Sequence, residues 1–212
     1  MRDESDYLLY KQKNFFQRFF GHLNTVLVHK KYVFRACADM GIFWQGVFHD
    51  TSKFSLAEFP VGVKYWSGKF SPNAVDRHEY GYSRAWLHHK GRNKHHYEYW
   101  ADFSPRTEAG AIGCRMPLKY VAEMIADRYA ACKSYHRDAY KQTDAWDYYC
   151  EEKDNIVIHE ETRAILEKTL QIMADEGEKK AFAYMKNLLK EQKMRRRILI
   201  RCAHCSASSI RC

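Results

Sequence analysis

The chain has 212 residues, a net charge of +9, 15% aromatic residues and seven cysteines. That length suffices for one domain with an extension and for a core that needs no disulfide or metal staple, and the aromatic content excludes a disordered chain. The odd cysteine count, the charged and polar stretch from Met1 to Asp6 and the lack of a long apolar run argue against a disulfide scaffold, a secreted precursor and a membrane protein, and predict a cytoplasmic protein with free thiols.

In chain order, the sequence predicts an all-α fold. Residues 15–40 carry Phe16, Phe19, Phe20, Leu23, Val26, Leu27 and Val33 at helical spacing and end at Gly41, a residue suited to the position after a helix. His29 would sit on this helix. A shorter helix is expected over 42–49, and Ser55-Leu56-Ala57-Glu58 has the form of a capping box opening another. Ser71-Pro72 reads as the N-cap and first residue of a helix reaching His89 and stopping near Gly91. Residues 102–115, with two glycines and a proline, read as a loop, and no hairpin signal is found. Met116-Pro117 opens a helix with Leu118, Val121, Met124 and Ile125 on its buried face and Asp127 on the adjoining turn. Two further helices, over 157–175 and 178–192, are split by Gly177. The expected organisation is a helical domain over 14–150, a C-terminal helical extension over 151–192 and a flexible tail over 193–212, which has six Lys/Arg and no acid.

The chemistry lies in an ordered set of imidazoles and carboxylates: His29, the pair His49-Asp50 followed by Lys53, His88-His89, His95-His96 and Asp127. These are the side chains that bind Zn, Mn or Fe, and a site drawn from several helices needs its ligands scattered in this way. A His-Asp pair at a helix end can face one metal or two neighbouring ones, and Lys53 would place an ammonium beside it for a phosphate oxygen. Each residue also has a plain reading. His29 alone suits a core histidine, and Asp127 beside Arg128 suits a local ion pair. Lys90, Arg92 and Lys94, interleaved with histidines and followed by Tyr97, Tyr99 and Trp100, form a basic and aromatic segment able to bind nucleic acid without a metal. The basic tail offers a second nucleic-acid contact. Its Cys202, His204, Cys205 and Cys212 have zinc-ligand chemistry but no following fold to clamp, so a solvated end is the simpler reading.

The order His29, His49-Asp50, Asp127, with His49-Asp50-Thr51-Ser52-Lys53, resembles the HD-domain superfamily of metal-dependent phosphohydrolases, which are all-α. The run from Met116-Pro117-Leu118 to Ala131 resembles the helix that delivers the last ligand in that superfamily, and His88-His89 resembles the paired histidines of its cyclic-dinucleotide branch. The Gly-Tyr-Pro of that branch does not follow; Gly81-Tyr82 precedes the pair and is followed by Ser83. A second resemblance, over about 18–150, rests on HLNTVLVHKKYV, GVFHDTSKFSLAEF, AWLHHKGRNKHHYEYW and MPLKYVAEMIADRYAA. These strings are similar to a family of bacterial and phage proteins classed as a domain of unknown function, and they imply no activity.

The HD resemblance implies an HD-like helical bundle with one or two divalent transition metals (Mn, Fe, Zn, Co or Ni). His29, His49, Asp50 and Asp127 would form the primary site. Asp50 would bridge to a second ion where His88, His89 or His95 supplies ligands, with the part of His95 and His96 left open. It further implies a metal-activated water attacking a nucleotide or other small phosphate ester, with Asp50 and Lys53 catalytic. Lys53, Lys90, Arg92 and Lys94 would bind the substrate, and Trp86, Tyr97 and Trp100 would stack on a base.

Overall fold

A computed structural model describes residues 4–106 and 110–208, with side chains as far as Leu199. Among the described residues it forms ten α-helices and one small sheet, an all-α fold. None of its helices is long and apolar enough to cross a membrane.

A short α1 (Glu4–Tyr7) leads into α2 (Phe15–Met40), whose bounds match the expected helix. A capping box starts it: Asn14 accepts from the Gln17 amide, and Gln17 accepts from the Asn14 amide. Gly41 ends it at φ 79°, in the left-handed region glycine enters without cost. The buried stripe is His22, Val26, His29, Val33, Ala36, Cys37 and Met40. Phe16, Phe20 and Leu27, expected among the apolar face, are exposed, because the apolar band is wider than the stripe its neighbours cover.

After α3 (Phe43–Phe48), a 3-10 turn over Thr51–Phe54 leads to α4 (Phe59–Tyr65). The capping box expected at Ser55 does not form. Helix α4 begins one residue after Glu58, which makes no cap and turns to the site instead. The helix expected to run from Pro72 to His89 is two helices, α5 (Pro72–Tyr80) and α6 (Arg84–Lys90). Gly81 breaks it at φ 76°, and Ser83 recaps by accepting from the Trp86 amide. Residues 102–115 are not wholly a loop either. β1 (Ala101–Phe103) pairs antiparallel with β2 (Ala111–Gly113), Asp102 opposite Ile112. Three largely exposed residues per strand leave no alternating pattern in the sequence.

The rest is helical: α7 (Leu118–His136), α8 (Asp144–Glu152), α9 (Glu160–Glu176) and α10 (Glu178–Ser208). Helix α8 went unseen because only Ala145 and Tyr149 of it are buried, too few to show a period. Helix α10 continues beyond residue 192 through Lys193–Arg197, residue types that favour helix although they are exposed here. The side chains of Cys202, His204, Cys205 and Cys212 lie outside the described residues.

Among the described residues, two apolar clusters hold these elements. The larger joins Val33, Cys37 and Met40 of α2 to Val121, Ile125 and Tyr129 of α7, Tyr149 of α8, Leu166 and Leu170 of α9, and Phe182 and Met185 of α10. Each large apolar side chain fully buried there contributes about 1.5–3 kcal/mol. Ala122, Ala126 and Ala130 recur every fourth residue on α7 at 0% exposure, so a neighbouring backbone can come close. Helices α2 and α7 pack together, which brings His29 opposite Asp127. The smaller cluster is Tyr10, Tyr65, Phe70 and Val75, where the Tyr10 and Tyr65 hydroxyls both donate to Glu79 at 2.7 and 2.6 Å.

Candidate metal centre

The His-Asp pair sits where α3 ends. The Lys30 ammonium, reaching from α2, donates to the carbonyls of Val47 and His49 and fixes that end. Asp50 then takes φ 51°, ψ 32°, a left-handed conformation uncommon outside glycine that Asp tolerates better than most, and one that concentrates at functional sites. The bend turns its carboxylate inward, and the 3-10 turn places Lys53 Nζ 2.6 Å from Asp50 Oδ2.

Around the two oxygens of Asp50 lie two sets of ligand atoms. On the Oδ2 side, His49 Nε2 is at 3.2 Å and His29 Nε2 at 3.9 Å, and Asp127 Oδ1 stands 3.0 Å from His29 Nε2 and 3.4 Å from His49 Nε2. On the Oδ1 side, His89 Nε2 is at 3.3 Å and His95 Nε2 at 3.4 Å, with His96 completing the group. Ligand atoms about 2.1 Å from a common ion stand about 3.0 Å apart in an octahedron and about 3.4 Å apart in a tetrahedron. Asp50 Oδ1, His95 Nε2 and His96 Nε2 are buried with no hydrogen-bond partner, whereas Asp50 Oδ2 has the Lys53 ammonium beside it. Buried polar atoms are normally satisfied, so this convergence fits a cation. The group His29–His49–Asp50–Asp127, buried except for the partly exposed Asp127, and the buried group Asp50–His89–His95–His96 could each hold a metal ion.

Two carboxylates behind the histidines fix which ring nitrogen faces inward. Glu123 Oε1 is 3.1 Å from His49 Nδ1 and 3.2 Å from His95 Nδ1. Glu58 Oε2 is 2.7 Å from His89 Nδ1. With Nδ1–H donated outward, each Nε2 is turned toward the centre, where it could bind a metal once deprotonated. Glu58 and Glu123 escaped the sequence reading. Glu58 looked like part of a capping box, whereas Glu123 left a usable signal: an acid on the buried face of α7, one turn before Asp127.

The other candidates divide. His88 belongs to neither group; its Nδ1 lies 2.6 Å from Glu58 Oε1. Lys53 lines a pocket of about 400 Å³ that opens on the centre, as do His29, His89, His96 and Asp127. Trp86 and Tyr97 line it too, with Trp86 stacked on His89 at 5.5 Å. Lys90, Arg92, Lys94 and Trp100 are not among its lining residues, and Lys94 lies over the Tyr99 ring. The cations that line it besides Lys53 are Lys69, paired with Asp6, and Arg128.

Charge in the metal-free centre is strongly coupled. Burial disfavours the ionised form of Asp50, yet His49, Lys53 and His89 hold its carboxyl well below the usual range. Burial likewise opposes a charged His49, but Asp50 and hydrogen bonds to Asp127, Asp50 and Glu123 hold its pKa well above normal. His29 goes the other way, lowered to about 4 by burial and by Lys53.

No curated protein and no solved structure matches the chain. A family model described as a family of unknown function (DUF5662) matches residues 18–172, and the chain belongs to that family.

Proposed function

We propose that the chain is an HD-like, metal-dependent phosphohydrolase acting on a nucleotide or another small phosphate ester. The observation that carries this reading is the placement of Asp50, whose two buried oxygens each face a separate set of imidazoles, beside a pocket that His29, His89 and Lys53 line. His29, His49, Asp50 and Asp127 would hold one divalent transition metal, and Asp50, His89, His95 and His96 a second. Such ions supply Lewis acidity toward a phosphoryl oxygen and acidify water at neutral pH. The protein's part is to hold the anionic group and keep it dry. Lys53 lines the pocket beside Asp50, where its ammonium can donate to a phosphate oxygen as negative charge develops. Glu58 and Glu123 stand behind Nδ1 of these imidazoles and so turn their Nε2 atoms toward the centre. The pocket volume lies within the range of small-molecule sites, about 300–1,000 Å³.

The test begins with elemental mass spectrometry of the untagged protein beside Asp50→Ala. Wild type is expected to retain about one or two equivalents of Mn, Fe, Zn, Co or Ni, and the variant to lose them with its helicity intact. A phosphate-ester panel run with that metal should then show turnover that chelator abolishes. Absence of bound metal, together with no thermal stabilisation on adding any of these ions, overturns the reading.

A further inference from the structure

The pocket wall also carries chemistry outside the proposed ligands. Arg128 follows Asp127 on α7, lines the pocket, and has a side chain only 10% exposed. Its Nη2 pairs with Glu152 of α8, yet Nε and Nη1 are buried without a partner. Glu98 lines the same pocket, and its Oε2 is likewise buried and unpartnered. Tyr148 lies alongside, its ring centroid 6.0 Å from the guanidinium carbon. Buried donors and acceptors left unpaired in a protein are rare, and two residues with such atoms lining one pocket mark a place where small side-chain movements would let a ligand complete the hydrogen bonding.

The charge balance narrows the ligand. Arg128 is already matched by Glu152, and Glu98 adds an acceptor rather than a cation, so this wall carries no excess positive charge to hold an anion. The anion-binding capacity lies with Lys53 and the candidate ligands. What the wall offers is a pair of donors, an acceptor and an aromatic flank. A neutral, planar heterocycle that both accepts and donates hydrogen bonds along its edge satisfies all of them.

We infer that Arg128 and Glu98 form a nucleobase subsite, Arg128 donating to ring or carbonyl acceptors and Glu98 accepting from a ring or exocyclic N–H. This deepens the phosphohydrolase reading and rests on it for the position of the phosphate. It makes the substrate a nucleotide rather than a sugar phosphate. Sites built to hydrogen-bond a substrate group discriminate strongly against analogues that lack it.

Calorimetry on the Mn(II)-loaded full chain compares AMP, GMP, CMP and UMP with ribose 5-phosphate, which lacks a base. At least one nucleotide is expected to bind about tenfold or more tightly than ribose 5-phosphate. That advantage should vanish in Glu98→Leu and in the double variant Arg128→Gln/Glu152→Gln, which removes the ion pair as a unit, while ribose 5-phosphate affinity stays the same. A second arm tests the subsite apart from the metal: the four nucleosides are added to chelator-treated protein and followed by saturation-transfer NMR. Nucleoside binding that both variants abolish supports the subsite even if no metal is retained, in which case only the hydrolase reading falls. Nucleotides no tighter than ribose 5-phosphate, an advantage that survives both variants, or no nucleoside signal from wild type would overturn the subsite whatever the metal content.

Discussion

Glu58 and Glu123 touch no pocket-facing nitrogen, yet their effects on metal binding should differ in kind. Glu58 stands behind His89 alone among the proposed ligands, whereas one oxygen of Glu123 serves both His49 and His95. Outer carboxylates of this sort typically govern about 10–100-fold in metal affinity. Glu58→Gln should therefore weaken one of two binding steps by that factor and spare the other, and Glu123→Gln should weaken both, read by competition with a chromophoric chelator. Equal effects of the two variants would count against separate ion positions. Protonation adds a second test. The pKa of His49 is raised in the metal-free fold, so its proton must leave when a metal binds, and loading near neutral pH should release about one proton, seen as buffer-dependent enthalpy. The sign for stability follows. A raised His49 stabilises the metal-free fold at low pH and loses that contribution as pH rises through its folded pKa, while the depressed Asp50 loses its own as pH falls. The gap in Tm between loaded and metal-free protein should therefore widen from pH 6 toward pH 8. Much of this residue pattern was legible beforehand, because His29, His49, Asp50 and Asp127 occur in a recognisable order. The two outer carboxylates were hidden because a glutamate in sequence does not reveal whether it caps a helix, faces water or supports an imidazole.

At the scale of elements, the centre depends on how closely α3 packs on α2. Gly46 makes that approach possible: a Cβ there would lie 2.9 Å from both Cys37 Cβ and Phe34 Cα, and backbone cannot yield as a long side chain can. Gly46→Ala should cost about 1–3 kcal/mol by overpacking. It should also weaken metal binding, since α3 carries the His49-Asp50 pair at its end. Gly177→Ala is the matched control. Its φ of 90° strains any side chain by about 1–3 kcal/mol, but it sits between α9 and α10, away from the ligands. Both variants should melt earlier, and only Gly46→Ala should lose metal affinity; parallel losses in both would make the metal effect one of general instability. Elements with long periodic stripes could be read from sequence, α2 at both bounds and α7 at its start beside Pro117. The α5–α6 break, the Asp102–Ile112 pairing and α8 could not. A single glycine between two helical stretches is compatible with a kink or a stop, and strands of three residues or a helix with two buried side chains fall below the length at which periodicity carries information.

Across the whole molecule, the proposed ligands tie together parts that the apolar clusters leave apart. His29 and Asp127 belong to α2 and α7, which the large cluster locks to α8, α9 and α10. His89, on α6, and His95 and His96 lie on the chain just beyond α4 and α5, which supply Tyr65 and Val75 to the small cluster. Without a metal, the junction consists of buried imidazoles and carboxylates, several with unpartnered atoms, and such groups are costly to keep dry. Metal removal should therefore loosen the molecule unevenly. Ligand at a hundredfold excess over its Kd adds about 2.7 kcal/mol to the folded state. Hydrogen exchange read by mass spectrometry should show chelator raising exchange over residues 51–96 by a corresponding factor of about a hundred, if that segment opens as a unit. Buried segments of α7, α9 and α10 should keep their protection, because the larger cluster does not depend on the junction. Mn(II) should restore the first region, and Asp50→Ala should exchange like the chelated protein with or without metal. A uniform rise across all helices would instead mean that the two clusters unfold together and that the centre stabilises the fold only globally.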